Sequence, residues 1–190
     1  MRYLLMLCFV FMLNMANAVE LKGGVVLNPP KPLPEFVLQG PEKQAISQND
    51  FQGHWSLLFF GFTQCQQVCP MTLSEVKQAY EWMQKHHQKV PVVTFVSVDV
   101  KHDTPEITTR YAKSFNANFV GLSGEKKQIE LLTKSLGVLY MTVMQNNQET
   151  IDHSANLFLI NPAGQVQAIF SPPYESLVLA KDIAKAMAVA

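Results

Sequence analysis

The chain has 190 residues, with 15 Lys and Arg against 15 Asp and Glu, and 48% of its residues are hydrophobic. This composition predicts one folded domain, and a charged fraction of only 16% excludes disorder of the chain as a whole. A net charge of zero without a basic run lacks the clustered positive charge that binds a phosphate backbone. We therefore expect no nucleic-acid partner.

Residues 1–18 have the pattern of a secretory signal peptide. One cation, Arg2, precedes an apolar run from Tyr3 to Leu13, and Ala16-Asn17-Ala18 is a small-x-small cleavage pattern. The apolar run is shorter than the about 20 residues that a membrane-spanning helix needs. We expect cleavage after Ala18, export to the periplasm and a single domain over residues 19–190. An uncleaved anchor in the inner membrane is the alternative.

The first half of the exported chain contains two predicted buried strands. Proline density in Gly23–Pro41 prevents a helix and favours an extended arm with short edge strands. The continuous apolar run Ser56–Phe62 is typical of a central strand buried on both faces, and Pro91–Val98 predicts a second one. Between them, apolar residues recur every three or four positions, which predicts a helix after Pro70 that runs to about His86.

The second half predicts helices and strands in alternation. Thr104-Pro105 starts a helix that runs to about Phe115, and Gly137 ends another that covers Glu125–Leu136. Three strands and a closing helix are predicted at Leu139–Met144, Glu149–Ile160, Gln165–Phe170 and Tyr174–Ala188, with turns at Gln145–Gln148 and Asn161–Gly164. This order predicts an α/β sandwich around one mixed sheet.

Two of the three cysteines, Cys65 and Cys69, follow the signal peptide, while Cys8 lies within it. A cysteine pair in an exported protein normally forms a disulfide, because the compartment is oxidising. A ring closed by these two cysteines contains only five residues, so it adds little loop-closure stabilisation. The spacing therefore favours a chemical role for the pair, with a structural disulfide as the alternative.

The cysteine pair lies between a predicted buried strand and a helix whose first turn contains Pro70. Backbone N–H groups at a helix start favour the thiolate and lower the pKa of a cysteine there. In a helical segment, four residues place the two Cα atoms about 6 Å apart on one face. That gap suits a disulfide and also lets both sulfurs bind one metal ion, so the spacing leaves both chemistries open.

Binding copper in both oxidation states calls for a borderline donor such as imidazole in addition to two thiolates. The histidines that follow the signal peptide are His54, His86, His87, His102 and His153. The first four are expected in solvated positions: His54 at a strand start, His86 and His87 at a helix end, and His102 in a charged loop. His153 precedes the apolar strand Leu157–Ile160, in a loop that a thioredoxin-like fold turns toward the cysteines. A loop histidine satisfied by the backbone is the alternative there.

Together these motifs resemble the Sco/SenC family of thioredoxin-fold copper proteins. The matching segments, in family order over about residues 36–188, are Phe60-Gly61-Phe62-Thr63, Cys65-xxx-Cys69-Pro70-xx-Leu73, Ser97-Val98-Asp99 through Asp103-Thr104-Pro105, Asp152-His153-Ser154 and Asn161-Pro162-x-Gly164. The resemblance implies a thioredoxin-like sandwich, with a central mixed β-sheet flanked by helices and an N-terminal extended or hairpin extension. The chain departs from the family around Cys65, at Gln64, Gln66 and Gln67, and at Val100, where the family has proline.

The resemblance also implies a site and a role. It places one copper ion, as Cu(I) or Cu(II), on Cys65, Cys69 and His153, with Asp99 nearby to orient a ligand or tune the site's charge. Family members help to build the dinuclear CuA centre of cytochrome c oxidase, so its subunit II is the expected recipient. An upstream copper donor or thiol reductant is the other expected partner, and we expect a monomer.

Other chemistries fit the same residues. In a thiol-disulfide oxidoreductase, the main alternative, Cys65 is the nucleophile and Cys69 the resolving thiol, acting on the oxidase subunit or another exported protein. A peroxidase needs a lone activated cysteine supported by an arginine, and Arg110 is the only arginine after the signal peptide. Structural zinc sites usually have four ligands, and we identify three. Met71 and the other dispersed methionines are typical of core packing.

Overall fold

The structure, a computed structural model, describes residues 20–145 and 148–189. The strands are β1 (Gly24–Pro32), β2 (Val37–Gln39), β3 (Ala45–Ser47), β4 (Ser56–Gly61), β5 (Val92–Ser97), β6 (Val120–Leu122), β7 (Tyr140–Gln145), β8 (Gln148–His153), β9 (Leu157–Ile160) and β10 (Gln165–Phe170). The helices are α1 (Val68–Lys85), α2 (Pro105–Phe115), α3 (Lys126–Leu136) and α4 (Ser176–Ala188). The predicted signal peptide, residues 1–18 with Cys8, lies outside the described residues.

A mixed six-stranded sheet has the strand order β1-β10-β9-β4-β5-β6. Its central strand β4 is buried along its whole length, as the uninterrupted apolar run predicts. β4 pairs with β5 in parallel and with β9 in antiparallel orientation. Alternate side chains of β4 enter two cores: Leu57 and Phe59 pack with α1 and α4, whereas Leu58 and Phe60 pack with α3 and β2.

The fold class predicted from the sequence is confirmed. Helices flank a mixed central sheet, and the proline-rich segment forms β1, at the sheet edge beside β10, and the two-stranded β2–β3 hairpin. The predicted helix boundaries are also close, because local signals set them. The Thr104 hydroxyl accepts a hydrogen bond from the Ile107 N–H at the start of α2, and Gly137 ends α3 with a φ of 71°. Among the described residues, no helix has the length and apolarity needed to cross a membrane.

One strand prediction was wrong, and one strand was not predicted. The segment Glu149–Ile160 is not one strand, because β8 pairs with β7 in a separate hairpin while β9 joins the central sheet. The chain changes direction between them at residues 154–156. Strand β6 was not predicted, because its three residues include Gly121 and are too few to show a periodicity. The predicted turn Gln145–Gln148 joins β7 to β8, but Asn146 and Asn147 lie outside the described residues.

Candidate metal centre

The sheet brings together two segments that are far apart in the sequence. Cys65 lies in the loop after β4, and Cys69 is the second residue of α1. His153 is the last residue of β8 and lies just ahead of β9. Because β4 and β9 run antiparallel, with Phe59 opposite Leu157, the end of β4 and the start of β9 lie at the same edge of the sheet. The cysteine loop and the histidine therefore meet there.

Three donor atoms converge at this edge. The Sγ atom of Cys69 lies 3.3 Å from Nε2 of His153, and the Cys69 backbone N–H donates to Sγ of Cys65 at 3.4 Å. The two sulfurs and an imidazole nitrogen all lie within 4.8 Å of one another. Two donors that each lie about 2.3 Å from one ion are separated by at most about 4.6 Å. The three side chains therefore fit one ion after shifts of a few tenths of an ångström.

The two cysteines are free and have unlike environments. A hydrogen bond from the Cys69 side chain, aided by the backbone N–H groups of Cys69 and Gln67, lowers the pKa of Cys65 to about 4 against the effect of burial. The same pairing with Cys65, together with burial, raises the pKa of Cys69. One proton is thus held on Cys69, while Cys65 is the thiolate and the more exposed of the two.

The position of Cys69 depends on a glycine at the end of β4. A Cβ atom on Gly61 would lie 2.5 Å from Sγ of Cys69 and 2.9 Å from the Phe95 ring. The sulfur is fully buried, so it has no room to move outward into solvent. Packing therefore requires glycine at position 61 of the Phe-Gly-Phe-Thr segment, because only a residue without a side chain leaves space for this sulfur.

The imidazole of His153 is oriented by the backbone and by aromatic rings. Its Nδ1 lies 3.1 Å from the carbonyl oxygen of Ser154, which only accepts hydrogen bonds, so Nδ1 carries the hydrogen. The lone pair then resides on Nε2, which faces Cys69. The rings of Phe62 and Phe59 pack on the imidazole, with centroids 5.9 Å and 6.2 Å away. The histidine is thus arranged as a ligand through Nε2.

Residues 28–188 match the profile of the SCO1/SenC family. The chain belongs to this family. An SCO2-like protein from Rickettsia prowazekii is 33% identical over 139 residues, which cover 71% of this chain and 67% of the relative.

Two solved structures of family members resemble this one closely. The apo Sco1 protein from Thermus thermophilus is 35% identical with a TM-score of 0.73, covering 88% of this chain and 96% of that one. The ScoI protein from Bradyrhizobium japonicum, solved with copper bound, is 29% identical with a TM-score of 0.70, covering 80% and 97% of the two chains. The thioredoxin-like fold inferred from the sequence motifs is the fold of these proteins.

The other histidines lie in the solvated or backbone-bonded positions expected for them. His54 contacts the carbonyl oxygen of Gln52 through Nδ1, and His86 stacks on Trp82 and contacts its carbonyl oxygen at the end of α1. His87 is exposed, and His102 pairs with Asp99. Within residues 20–145 and 148–189, only Cys65, Cys69 and His153 form a cluster of at least three potential ligands.

Asp99, predicted to lie near the site, is bonded within its own loop. Its carboxylate accepts hydrogen bonds from the backbone N–H groups of Lys101 and His102, and Oδ2 lies 2.9 Å from Nδ1 of His102. Asp99 lines the same cleft as Cys65. These contacts hold the loop after β5 in place, and an effect of Asp99 on the charge of the metal site stays a prediction.

A second aspartate, Asp103, for which no role was predicted from the sequence, connects the cysteine loop to the sheet. Its buried carboxylate accepts hydrogen bonds from the Thr63 backbone N–H at 2.8 Å and from the hydroxyls of Thr63 and Ser97. Thr63 lies two residues before Cys65, so Asp103 fixes the start of the cysteine loop. The motif Asp103-Thr104-Pro105 was visible in the sequence, but only the fold shows that its carboxylate reaches Thr63.

A cleft of about 1470 Å³ opens beside the cysteines, between their loop and the β7–β8 hairpin. The hairpin side carries Leu139, Met141 and Met144, whose side chains are 78%, 63% and 70% exposed. Met71, in the first turn of α1, is also exposed. The expectation that the dispersed methionines pack in the core was therefore wrong for these three. It holds for Met83, which is buried on the inner face of α1.

Proposed function

We propose that this protein binds one copper ion through Sγ of Cys65, Sγ of Cys69 and Nε2 of His153. The observation that carries the proposal is the convergence of these three atoms within 4.8 Å. Thiolates are soft donors that favour Cu(I), and imidazole makes Cu(II) acceptable to the same site. The copper-bound ScoI relative supports this choice of metal.

Delivery, rather than storage, is the role that the site's surroundings favour. Cys69 is buried, but Cys65 is partly exposed and lines the open cleft. A three-ligand site leaves one side of the ion available to a donor atom of another protein, so copper can leave by ligand exchange. Membership of the SCO1/SenC family makes the CuA centre of cytochrome c oxidase subunit II the proposed destination. The signal pattern at residues 1–18 supports the periplasm as the proposed location of this delivery.

Titration of the reduced protein, prepared without residues 1–18, with Cu(I) and Cu(II) tests the proposal. We expect one ion per chain in both cases. His153→Ala should weaken Cu(II) binding strongly and change its absorption spectrum, because only two thiolates remain. His102→Ala, which removes an imidazole at the rim of the same cleft, is the matched control and should leave both unchanged. Unchanged Cu(II) affinity and spectrum in His153→Ala would rule out the three-ligand site.

Thiol-disulfide exchange is the second candidate function, because the two sulfurs differ in exposure and protonation. The Cys65 thiolate is suited to attack a disulfide of a target protein, which forms a mixed disulfide and releases one target thiolate. The Cys69 thiol, after losing its proton, then attacks Cys65 and releases the second target thiolate. The target is reduced, and the pair leaves the reaction as a disulfide that an external thiol reductant must reduce again.

Growth of a strain that carries Cys69→Ser separates the two functions. This variant keeps Cys65 but loses both the resolving thiol and one copper ligand. Restoration of oxidase activity by added copper supports delivery, since excess metal bypasses a weakened carrier. If added copper does not restore oxidase activity but a small-molecule thiol reductant does, thiol exchange is supported as the main role.

A further inference from the structure

The loop between β8 and β9 controls where the imidazole of His153 lies. On the hairpin side, the Ser154 N–H donates to the Leu139 carbonyl oxygen at 2.8 Å, and the Ser154 hydroxyl accepts from the Leu139 N–H at 3.1 Å. These bonds join the loop to the base of the β7–β8 hairpin. The hairpin is a separate two-stranded sheet that packs on the core through Tyr140 and Ile151, so these bonds hold the loop from the hairpin side.

Tyr174 supplies a second link, from the side of the central sheet. Its hydroxyl lies 2.6 Å from the carbonyl oxygen of Ala155 and 3.0 Å from that of Phe170, and its single hydrogen is shared between them. Phe170 is the last residue of β10 in the central sheet, and Tyr174 packs against the core that contains Cys69. Burial raises the pKa of Tyr174, so the hydroxyl keeps its proton at working pH.

The bond from Tyr174 acts one peptide unit away from the bond that orients the imidazole. Ser154 and Ala155 contribute successive carbonyl groups: the first accepts from Nδ1 of His153, and the second accepts from Tyr174. Because Ala155 is itself buried, loss of the hydroxyl would cost its carbonyl a hydrogen bond. A fixed Ala155 carbonyl therefore restricts rotation of the peptide unit between Ser154 and Ala155, which carries the carbonyl that His153 contacts.

We propose that Tyr174 is a positioning residue for His153. Through Ala155 and Ser154 it keeps the hydrogen of the imidazole on Nδ1 and directs Nε2 toward Cys69. Tyr174 does not touch the ligand atoms, and its effect on copper rests on the proposed function, whereas its effect on the imidazole does not.

The first test uses the metal-free, reduced protein and compares Tyr174→Phe with Tyr80→Phe. Tyr80→Phe is the matched control: it also removes the hydroxyl of a core tyrosine, one that contacts only Asn118 among the described hydrogen bonds. Nitrogen-15 NMR reports which nitrogen of His153 carries the hydrogen, and amide exchange reports opening of the loop. We expect a mixture of imidazole tautomers and about tenfold faster exchange at Ser154 in Tyr174→Phe, and neither change in Tyr80→Phe.

The second test is the balance between Cu(II) and Cu(I). Loss of the group that hydrogen-bonds a metal-bound histidine lowers metal affinity by about 10- to 100-fold. Tyr174 acts on that group, the Ser154 carbonyl, through Ala155, so we expect about tenfold weaker Cu(II) binding in Tyr174→Phe. Cu(I) affinity should stay within about twofold of the wild type because the two thiolates are untouched.

Three outcomes would overturn the proposal. The first is an unchanged imidazole tautomer in Tyr174→Phe, and the second is an equal loss of affinity for Cu(I) and Cu(II). The third is faster amide exchange throughout β10 and α4, or unfolding of the variant, because either would indicate a general structural role for Tyr174. If the wild type binds no copper but the tautomer shifts as expected, the proposed function fails while the positioning role stands.

Discussion

At the scale of single residues, Cys65 and Cys69 are four positions apart and differ in access and in charge. Cys65 lies at the cleft with its pKa lowered to about 4, chiefly by a hydrogen bond from the Cys69 side chain. Cys69 is fully buried and keeps its proton. An incoming electrophile, disulfide or metal ion therefore meets Cys65 first, and Cys69 acts second.

Alkylation of the reduced, metal-free protein should show this order. We expect iodoacetamide at pH 7 to modify Cys65 well before Cys69, because the first is an accessible thiolate and the second a buried thiol. The thiolate is protonated as the pH falls through about 4, so the rate at Cys65 should be flat from pH 8 to about 5.5 and fall below that range. Mass spectrometry of digested protein gives the two rates. A rate that rises tenfold per pH unit up to pH 8 would show an ordinary thiol and contradict the expected charge.

Gly61→Ala should disturb the site although it leaves all three ligand residues unchanged. The added methyl group would overlap Sγ of Cys69, which is enclosed by core side chains. Overpacking of this kind costs about 1–3 kcal/mol, and displacement of the sulfur should also lower copper affinity. Gly23→Ala is the control, because its new methyl group meets only Asp182 at 3.8 Å. Urea unfolding and copper titration measure both effects, and equal stability of the two variants would contradict the packing argument.

At the scale of secondary-structure elements, Asp103 joins the end of β4 to the end of β5. Asp103→Asn keeps the shape of the side chain but removes its charge. It also replaces one carboxylate oxygen, an acceptor, with an amide NH2 group, a donor. The Thr63 and Ser97 donors then lose acceptors, and we expect a loss of about 2 kcal/mol in the free energy of unfolding. Glu130→Gln, which removes an exposed partner of Lys126, should change it by less than about 0.5 kcal/mol. Similar urea midpoints for both variants would show that the Asp103 network contributes little.

The elements that the sequence predicted well are those with strong local signals. The apolar run of β4, the Thr104-Pro105 start of α2 and Gly137 after α3 each act within a few residues, so no knowledge of the fold was needed. The break between β8 and β9 and the existence of β6 are decided by pairing with distant strands. Such pairing has no local signature, so neither the break between β8 and β9 nor β6 could be predicted from the sequence.

The candidate site could be predicted only in part for the same reason. Spacing alone identified Cys65 and Cys69 as a pair, but it left metal binding and thiol exchange open. His153 was singled out by resemblance to a family, because nothing in its own segment reports that β9 lies beside β4. Asp103 and Tyr174 were assigned no role, since each acts through hydrogen bonds to residues far away in the chain.

At the scale of the whole molecule, metal binding should stabilise the fold. The ligands come from two segments that are separated by 84 residues between Cys69 and His153, and the unfolded chain does not hold them together. A ligand that binds only the folded state at 100 times its Kd adds about 2.7 kcal/mol, which corresponds to a rise in Tm of about 5–10 °C for a domain of this size. Calorimetry with Cu(I), before and after a chelator removes it, should show a reversible shift. His153→Ala should reduce the shift for Cu(II) more than for Cu(I), and no shift with either ion would contradict binding to the folded state.

The antiparallel pairing of β4 with β9 also bears on how such a protein tolerates evolutionary change. The register of these two strands, with Phe59 opposite Leu157, sets the separation of sulfur and nitrogen. An insertion in the exposed turn at Ala117-Asn118 should therefore leave the donor geometry unchanged. Slippage of that one strand pair by a single residue would carry the imidazole about 3.3 Å along the sheet and dismantle the site.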